Sequence, residues 1–250
     1  MRTIAIILAG GTGTRFNNPE PKQFLEIGGK TLLALCLERF QSHLGIDGIV
    51  LVCPANRLKQ AEKIATGPRL SKVVRVLPGG VTRQESSFLG VGAAPVDVES
   101  VLIHDAARAI VPEGVIRRVL EAAATAPAVM PVLPVGDTTV RLDDQGAVLA
   151  VLDREKLRRA QTPQGFKLDI IRRAHELALR EGYADASDDC SLVLRYELAP
   201  VITVEGDVEN IKITYRADLI VAESILKSCG LLETEGKRQK AKGKSSKKSP

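Results

Sequence analysis

Thr3-Ile4-Ala5-Ile6-Ile7-Leu8 leads directly into Ala9-Gly10-Gly11-Thr12-Gly13-Thr14-Arg15. A short apolar run stopped by glycines reads as a buried strand followed by a tight loop. Glycines in such a loop let backbone N–H groups approach an oxyanion closely. Outward from this strand, short apolar runs alternate with longer amphipathic stretches. Residues 31–43 place Leu32, Leu33, Cys36, Leu37 and Phe40 at helical spacing. Strands are predicted at 48–53, 72–77, 100–104 and 128–135, with helices over 57–65, 83–93 and 112–124. This order predicts an α/β fold, a mostly parallel sheet with helices on both faces. Ligands of such sheets bind at the carboxyl ends of the strands. Residues 9–15, 78–83 and 105–108 are therefore expected along one rim.

The alternation breaks after Val135. Residues 138–142 and 147–152 alternate with period 2 around Asp143-Asp144-Gln145-Gly146, a hairpin turn signal. A hairpin projecting from a parallel sheet has few neighbours, and an isolated hairpin is marginal. Another subunit could bury it. Helices are then predicted over 168–180, 188–194 and 216–227, with a strand at 200–204.

The chain has 250 residues, 44% hydrophobic and 26% charged, which fits a globular protein and excludes wholesale disorder. Its net charge is +5, yet residues 237–250 alone carry seven Lys or Arg and no acid, so residues 1–236 stand at −2. The reading is one domain over 1–230, with an arm at about 137–155, and a basic tail over 231–250 with too little apolar surface to order. The tail reads as a solubilising extension or a weak polyanion tether, and no specific nucleic-acid partner is expected. No apolar run approaches the ~20 residues of a membrane span, and residues 4–8 are too short for a signal-peptide core. Cys36, Cys53, Cys190 and Cys229 form no CxxC pair and no metal pattern with the three histidines. Scattered reduced thiols point to a cytoplasmic protein without structural zinc.

Several segments carry chemistry. The first loop fails as a dinucleotide fingerprint, because Phe16 stands at the third glycine position and Pro19 and Pro21 block an immediate helix. It fails as a Walker A loop, because Phe24 stands where Gly29-Lys30-Thr31 needs a glycine. A glycine loop followed by Arg15 and by Pro21-Lys22-Gln23 remains, and two such cations suit a triphosphate. A tight structural turn is the other reading. Gly79-Gly80 ahead of Thr82-Arg83-Gln84-Glu85-Ser86-Ser87 allows close approach to a flat base, while the serines cap a helix or bind a ligand. His104-Asp105-Ala106-Ala107-Arg108 ends a strand. There an Asp serves a hydroxyl or Mg²⁺, or simply pairs with Arg, and His104 reads as structural. Asp188-Asp189 is a metal pair or, more commonly, a helix start.

LAGGTGTR, PKQF, GG-x-x-R-x-x-S, HDAAR, P-V-x-D-T, QTPQ-x-F, DD and N-I-K-I-T occur in this order. Together they resemble the 2-C-methyl-D-erythritol 4-phosphate cytidylyltransferases of the non-mevalonate isoprenoid pathway, over about residues 3–228. The resemblance implies a Rossmann-like sheet, a homodimer clasped by a β-arm, CTP and a polyol phosphate as substrates, and Mg²⁺. By position, it implies that Arg15 and Lys22 stabilise the transition state on the triphosphate. Arg154, reaching in from the partner's arm, and Lys212 position the substrate phosphate. Ala9, Gly10, Gly11, Gly13, Gly79, Gly80, Ser86 and Ala106 fall at nucleotide-binding positions. Asp105, Arg108, Thr138, Thr162 and Ser187 fall at substrate-binding positions, with Asp105 also at the metal. Val81, Ala109 and Val140 depart from the family's usual Asp, Pro and Lys. The chain offers cations at four separated loops and no Ser-His or Cys-His constellation. That suits attack by an already anionic phosphate on a nucleotide, where positioning and charge do most of the catalysis. Ribitol-5-phosphate cytidylyltransferases share the loop, PKQF and QTPQ patterns and are the alternative. A non-catalytic nucleotide-binding homologue and a dinucleotide-dependent oxidoreductase are more distant ones.

Overall fold

A computed structural model describes residues 2–10 and 21–232. Gly11, Gly13 and Arg15, and the tail from residue 233, lie outside the described residues. β1 (Thr3–Leu8) is followed by a 3-10 turn over Lys22–Phe24 and a small hairpin of β2 (Glu26–Ile27) and β3 (Lys30–Thr31). Then come α1 (Leu32–Ser42), β4 (Gly48–Cys53), α2 (Leu58–Ala65), β5 (Val73–Pro78), α3 (Arg83–Gly92), β6 (Ser100–Asp105), α4 (Glu113–Ala123) and β7 (Ala128–Pro134). The arm is β8 (Val140–Leu142) and β9 (Val148–Val151), and after it lie β10 (Arg158–Ala160) and β11 (Gln164–Lys167). α5 (Leu168–Glu181), α6 (Asp189–Arg195), β12 (Val201–Glu205) and α7 (Arg216–Ser228) complete the order.

The expected parallel frame is present. β1 pairs in parallel with β4 and β6, β4 with β5, and β7 with β12. β1 is buried on both faces, as a parallel strand between helical layers must be. Its side chains alternate between two cores. Ala5, Ile7 and Ala9 join α1, α2, α4 and α7, while Ile4, Ile6 and Leu8 join α3, α5 and α6. β6 repeats the pattern, with Leu102 on the first side and Val101 and Ile103 on the second.

Four strands were not anticipated from the sequence: the two-residue β2 and β3, and two strands of the main sheet. β11 lies antiparallel between β6 and β7, and β10 pairs antiparallel with the far half of β7. β11 shows no period because Phe166 is its one large apolar residue, and Gly165 is needed where a Cβ would stand 2.9 Å from Val119 of α4. The arm matches expectation. Its turn is an Asx turn in which Asp143 Oδ1 accepts the N–H groups of Gln145 and Ala147, and Gly146 takes φ +85°. Among the described residues the arm pairs with no other strand, and Val140, Leu142, Val148, Leu149 and Val151 stand 42–68% exposed. Among the described residues, no helix is long and apolar enough to cross a membrane.

The close seating of α3 on β1 depends on Gly90, where an added Cβ would stand 2.5 Å from the β-branched, fully buried Ile6. Neither neighbour can yield without moving the sheet. Gly90→Val should therefore lower the unfolding free energy by about 1–3 kcal/mol, read by urea denaturation, although valine is the better helix former.

Candidate active site

The rim forms where β1, β4, β5 and β6 end. Ala9 N–H donates to Val52 O at 2.7 Å, Gly79 N–H to Cys53 O at 2.8 Å, and Ala106 N–H to Leu8 O at 3.0 Å. These bonds set Ala106, Ala9 and Gly79 along one edge in that order, with the end of β4 between the last two. Ser86 is buried against the glycines, and its hydroxyl donates to Thr82 O and accepts the Gly80 N–H at 3.2 Å. A Cβ at Gly79 would meet Ser86 Oγ at 2.8 Å, and one at Gly10 would meet it at 3.3 Å. The α3 cap is Thr82, whose side chain accepts from Glu85 N–H, so Ser86 is left to shape the glycine pair.

Asp105 ends β6 on the face of Val101 and Ile103, which α3, α5 and α6 cover. A carboxylate there must be paired. Oδ1 accepts from Arg83 Nε at 3.0 Å and Oδ2 from Lys212 Nζ at 2.7 Å. Arg83 Nη1 also donates to Asp189 Oδ2 at 2.8 Å, and Asp189 Oδ1 accepts from Ser87 and lies 3.5 Å from His175 Nε2. Burial works against the ionised form of Asp105, yet Arg83 and Lys212 outweigh it and hold the carboxyl well below the usual range. Asp189 is likewise held low, with Arg83 as its main cation. Asp188 caps α6, accepting from Ser191 N–H, so the acid pair starts a helix. Among the described residues no cluster of three or more His, Cys, Asp or Glu is arranged to hold a metal.

The opposite face of the same strand end carries His104, its ring tilted 54° against that of Phe40 of α1 at 4.9 Å between centroids. Its Nε2 donates to Arg108 O, its Nδ1 accepts from Thr162, and Thr162 Oγ1 accepts from Asp105 N–H. His104 is thus a structural bridge, and burial lowers its pKa to about 4. Arg108 donates to Asn210 O at 2.6 Å and to Ala160 O at 3.3 Å, tying β10 and the 210–214 segment to the rim. Gln161 accepts from Asp207 N–H and Asn210 Nδ2 in the same tie. Lys22, buried in its 3-10 turn, donates to Ile213 O at 2.6 Å, one residue from Lys212.

The structure therefore gathers Ala9, Gly10, Gly79, Gly80, Ser86, Asp105, Ala106, Arg108, Thr162, Lys22 and Lys212 on one rim. It does not bring Thr138 or Arg154 there. Both are exposed beside the arm, and Arg154's side chain makes no hydrogen bond or ion pair among the described residues. Ser187 is exposed just ahead of α6. Arg83 carries no role in the sequence pattern beyond its place in GG-x-x-R-x-x-S, and Asp189, expected only as half of a metal pair or helix start, is its buried partner.

Against known proteins, the family profile of IspD, 2-C-methyl-D-erythritol 4-phosphate cytidylyltransferase, matches residues 3–228. The chain belongs to this family. The enzyme of that name from Thermobifida fusca is 41% identical over 234 residues, covering 91% of this chain and 94% of that protein. A ribitol-5-phosphate cytidylyltransferase from Vibrio parahaemolyticus is 37% identical, covering 89% of this chain and 95% of that protein. The crystal structure of 4-diphosphocytidyl-2C-methyl-D-erythritol synthase from Anaerococcus prevotii superposes with a TM-score of 0.80 at 29% identity, covering 90% of this chain and 98% of that one. The fold of this cytidylyltransferase is accordingly the Rossmann-like α/β fold of the IspD enzymes.

The burial of His104 makes the stability of the chain pH-sensitive in a defined direction. Its folded pKa of about 4 lies below the ordinary 6.5, so the folded state binds fewer protons than the unfolded state between those values. Its contribution to stability should be complete above pH ~6.5 and fall away toward pH 4, by at most about 1.4 kcal/mol per pH unit. Urea denaturation across that range should show a shallower slope in His104→Gln than in the wild-type chain.

Proposed function

We infer that this rim is where the chain transfers CMP from CTP to 2-C-methyl-D-erythritol 4-phosphate, releasing pyrophosphate. The observation that carries the reading is Asp105 at the end of β6, with Lys212 on one oxygen and the Gly79–Gly80 and Ser86 pocket on the same rim at the end of β5, beyond β1 and β4. The cytosine lies on the glycine pair, whose backbone and Ser86 leave no room for side chains. A phosphate oxygen of the polyol attacks the α-phosphorus, the bond to the bridging oxygen breaks, and the pair of electrons leaves with pyrophosphate. Lys22 and Arg15 neutralise the charge that builds on the triphosphate, while Lys212 and Arg154 hold the attacking phosphate. No general base is needed, because the nucleophile is already an anion.

Mg²⁺ suits the donor set. It binds through one or two carboxylates plus substrate phosphates rather than in an all-protein cage, and Asp105 supplies one carboxylate whose Oδ2 partner, Lys212, is 42% exposed and able to swing aside. When bound, the ion would neutralise phosphate charge. The four cysteines are free thiols, which suits the reducing cytoplasm. The family profile spanning residues 3–228 favours the methylerythritol substrate over ribitol phosphate.

The arm favours a homodimer. Its exposed valines and leucines would be buried by a two-fold pairing, a closed and self-complementary contact. Arg154 then enters the partner's site, where it finds the phosphate it lacks in its own subunit. Purified chain should release pyrophosphate from CTP plus methylerythritol phosphate with Mg²⁺, faster than with ribitol phosphate. Lys22→Ala should lower kcat by about 10²–10³. Mixed dimers of Lys22→Ala and Arg154→Ala subunits, each inactive alone, should regain about half of wild-type activity per dimer, since one site carries both lesions and the other neither. No recovery in verified heterodimers would place Arg154 in its own subunit.

A further inference from the structure

We propose that Arg83 is a positioning residue for this reaction, holding Asp105 by one oxygen so that the other faces the substrates. The proposal rests on the reading of the rim as the CMP-transfer site.

The argument begins with the fork of the guanidinium. Nε is committed to Asp105 Oδ1 and Nη1 to Asp189 Oδ2, so the planar group spans two carboxylates from different elements, β6 and α6. Such a group has few orientations left. Asp189 is itself immobile. It is 1% exposed, held by Ser87 one turn along from Arg83 on α3, and faced by His175 of α5. Gln84, adjacent to Arg83, donates to Tyr183 O at 2.6 Å and accepts from Ala186 N–H at 3.0 Å, fixing the approach to α6. Three helices of one layer, α3, α5 and α6, therefore brace the arginine that holds the rim carboxylate.

The consequence for Asp105 is directional. With Oδ1 taken from within, Oδ2 is the oxygen left for the mobile partner, Lys212. A carboxylate free to rotate would present either oxygen and would carry Lys212 with it.

The arrangement is poorly suited to stability alone. Arg83 Nη2 is buried without a hydrogen-bond partner among the described residues, and natural structures leave few such donors. Buried ion networks are often no more stable than apolar packing of the same volume. A cationic bracket with an unsatisfied donor is better explained by the geometry it imposes.

The test uses the full chain with CTP, methylerythritol phosphate and Mg²⁺. Arg83→Lys keeps the charge but cannot bridge both carboxylates as a fork. It should keep its melting temperature and its KM for CTP near wild type while kcat falls by about 10²-fold, the scale of a misplaced reacting geometry. Asp189→Asn, which loosens the anchor and not the contact with Asp105, should lower kcat by a smaller factor. The double variant should lose no more than Arg83→Lys alone, because both act through Asp105. A kcat within about threefold of wild type in Arg83→Lys, or losses that multiply in the double variant, would overturn the proposal. So would a fall in kcat that vanishes once rates are expressed per folded molecule. An active wild type with an unimpaired Arg83→Lys refutes this inference alone, whereas an inactive wild type refutes the reading of the site and this inference with it.

Discussion

A negative charge at the end of a strand buried on both faces is the constraint around which the rest is arranged. β6 is enclosed along its whole length, and its last residue is Asp105. A bare carboxylate in that position would be protonated or would pull the strand end into solvent. The chain resolves this with cations from two directions, one rigid and one partly exposed. The second core, which packs Ile4, Ile6, Val101 and Ile103 beneath α3, α5 and α6, continues at its upper edge as a polar layer of Arg83, Asp189, Ser87 and His175. Hydrophobic packing and electrostatic order are consecutive storeys of the same face, set by the two-residue period of a strand.

The opposite face carries no carboxylate and is tied instead by a histidine, a threonine and an arginine that binds carbonyls. His104 joins Thr162 and Arg108, and Arg108 in turn holds the carbonyls of Ala160 and Asn210. Segments distant in sequence are thus hung from one strand end, and Lys22 and Lys212 reach it through the short stretch around Ile213. This is what a reaction between two anions requires of a protein. The chain contributes charges of fixed position and a frame that keeps them there.

Much of this was legible beforehand. The periodicity of Leu32 to Phe40, the apolar strand 48–53, and the Asp143–Gly146 turn each state their structure locally, because a period or a turn residue is a short-range property. The rim followed from strand direction alone. What escaped were β2 and β3, too short at two residues each to show a period, β10 and β11, where Gly165 and arginines replace the alternation that marks a strand, and the bracket on Asp105. Arg83 and Asp189 are 106 residues apart, and no local rule connects them. In isolation the acid pair read as a helix start, which Asp188 is; nothing nearby in sequence distinguishes its neighbour as the buried partner of an arginine.

The arm shares no strand pairing with the main sheet and buries little against it. Its sequence is therefore almost decoupled from the folding energy of the domain. Substitutions, or even a change of length, between β8 and β9 leave the two cores intact. In descent, such a segment is free to drift at a pace the frame cannot match, answerable only to whatever it grips.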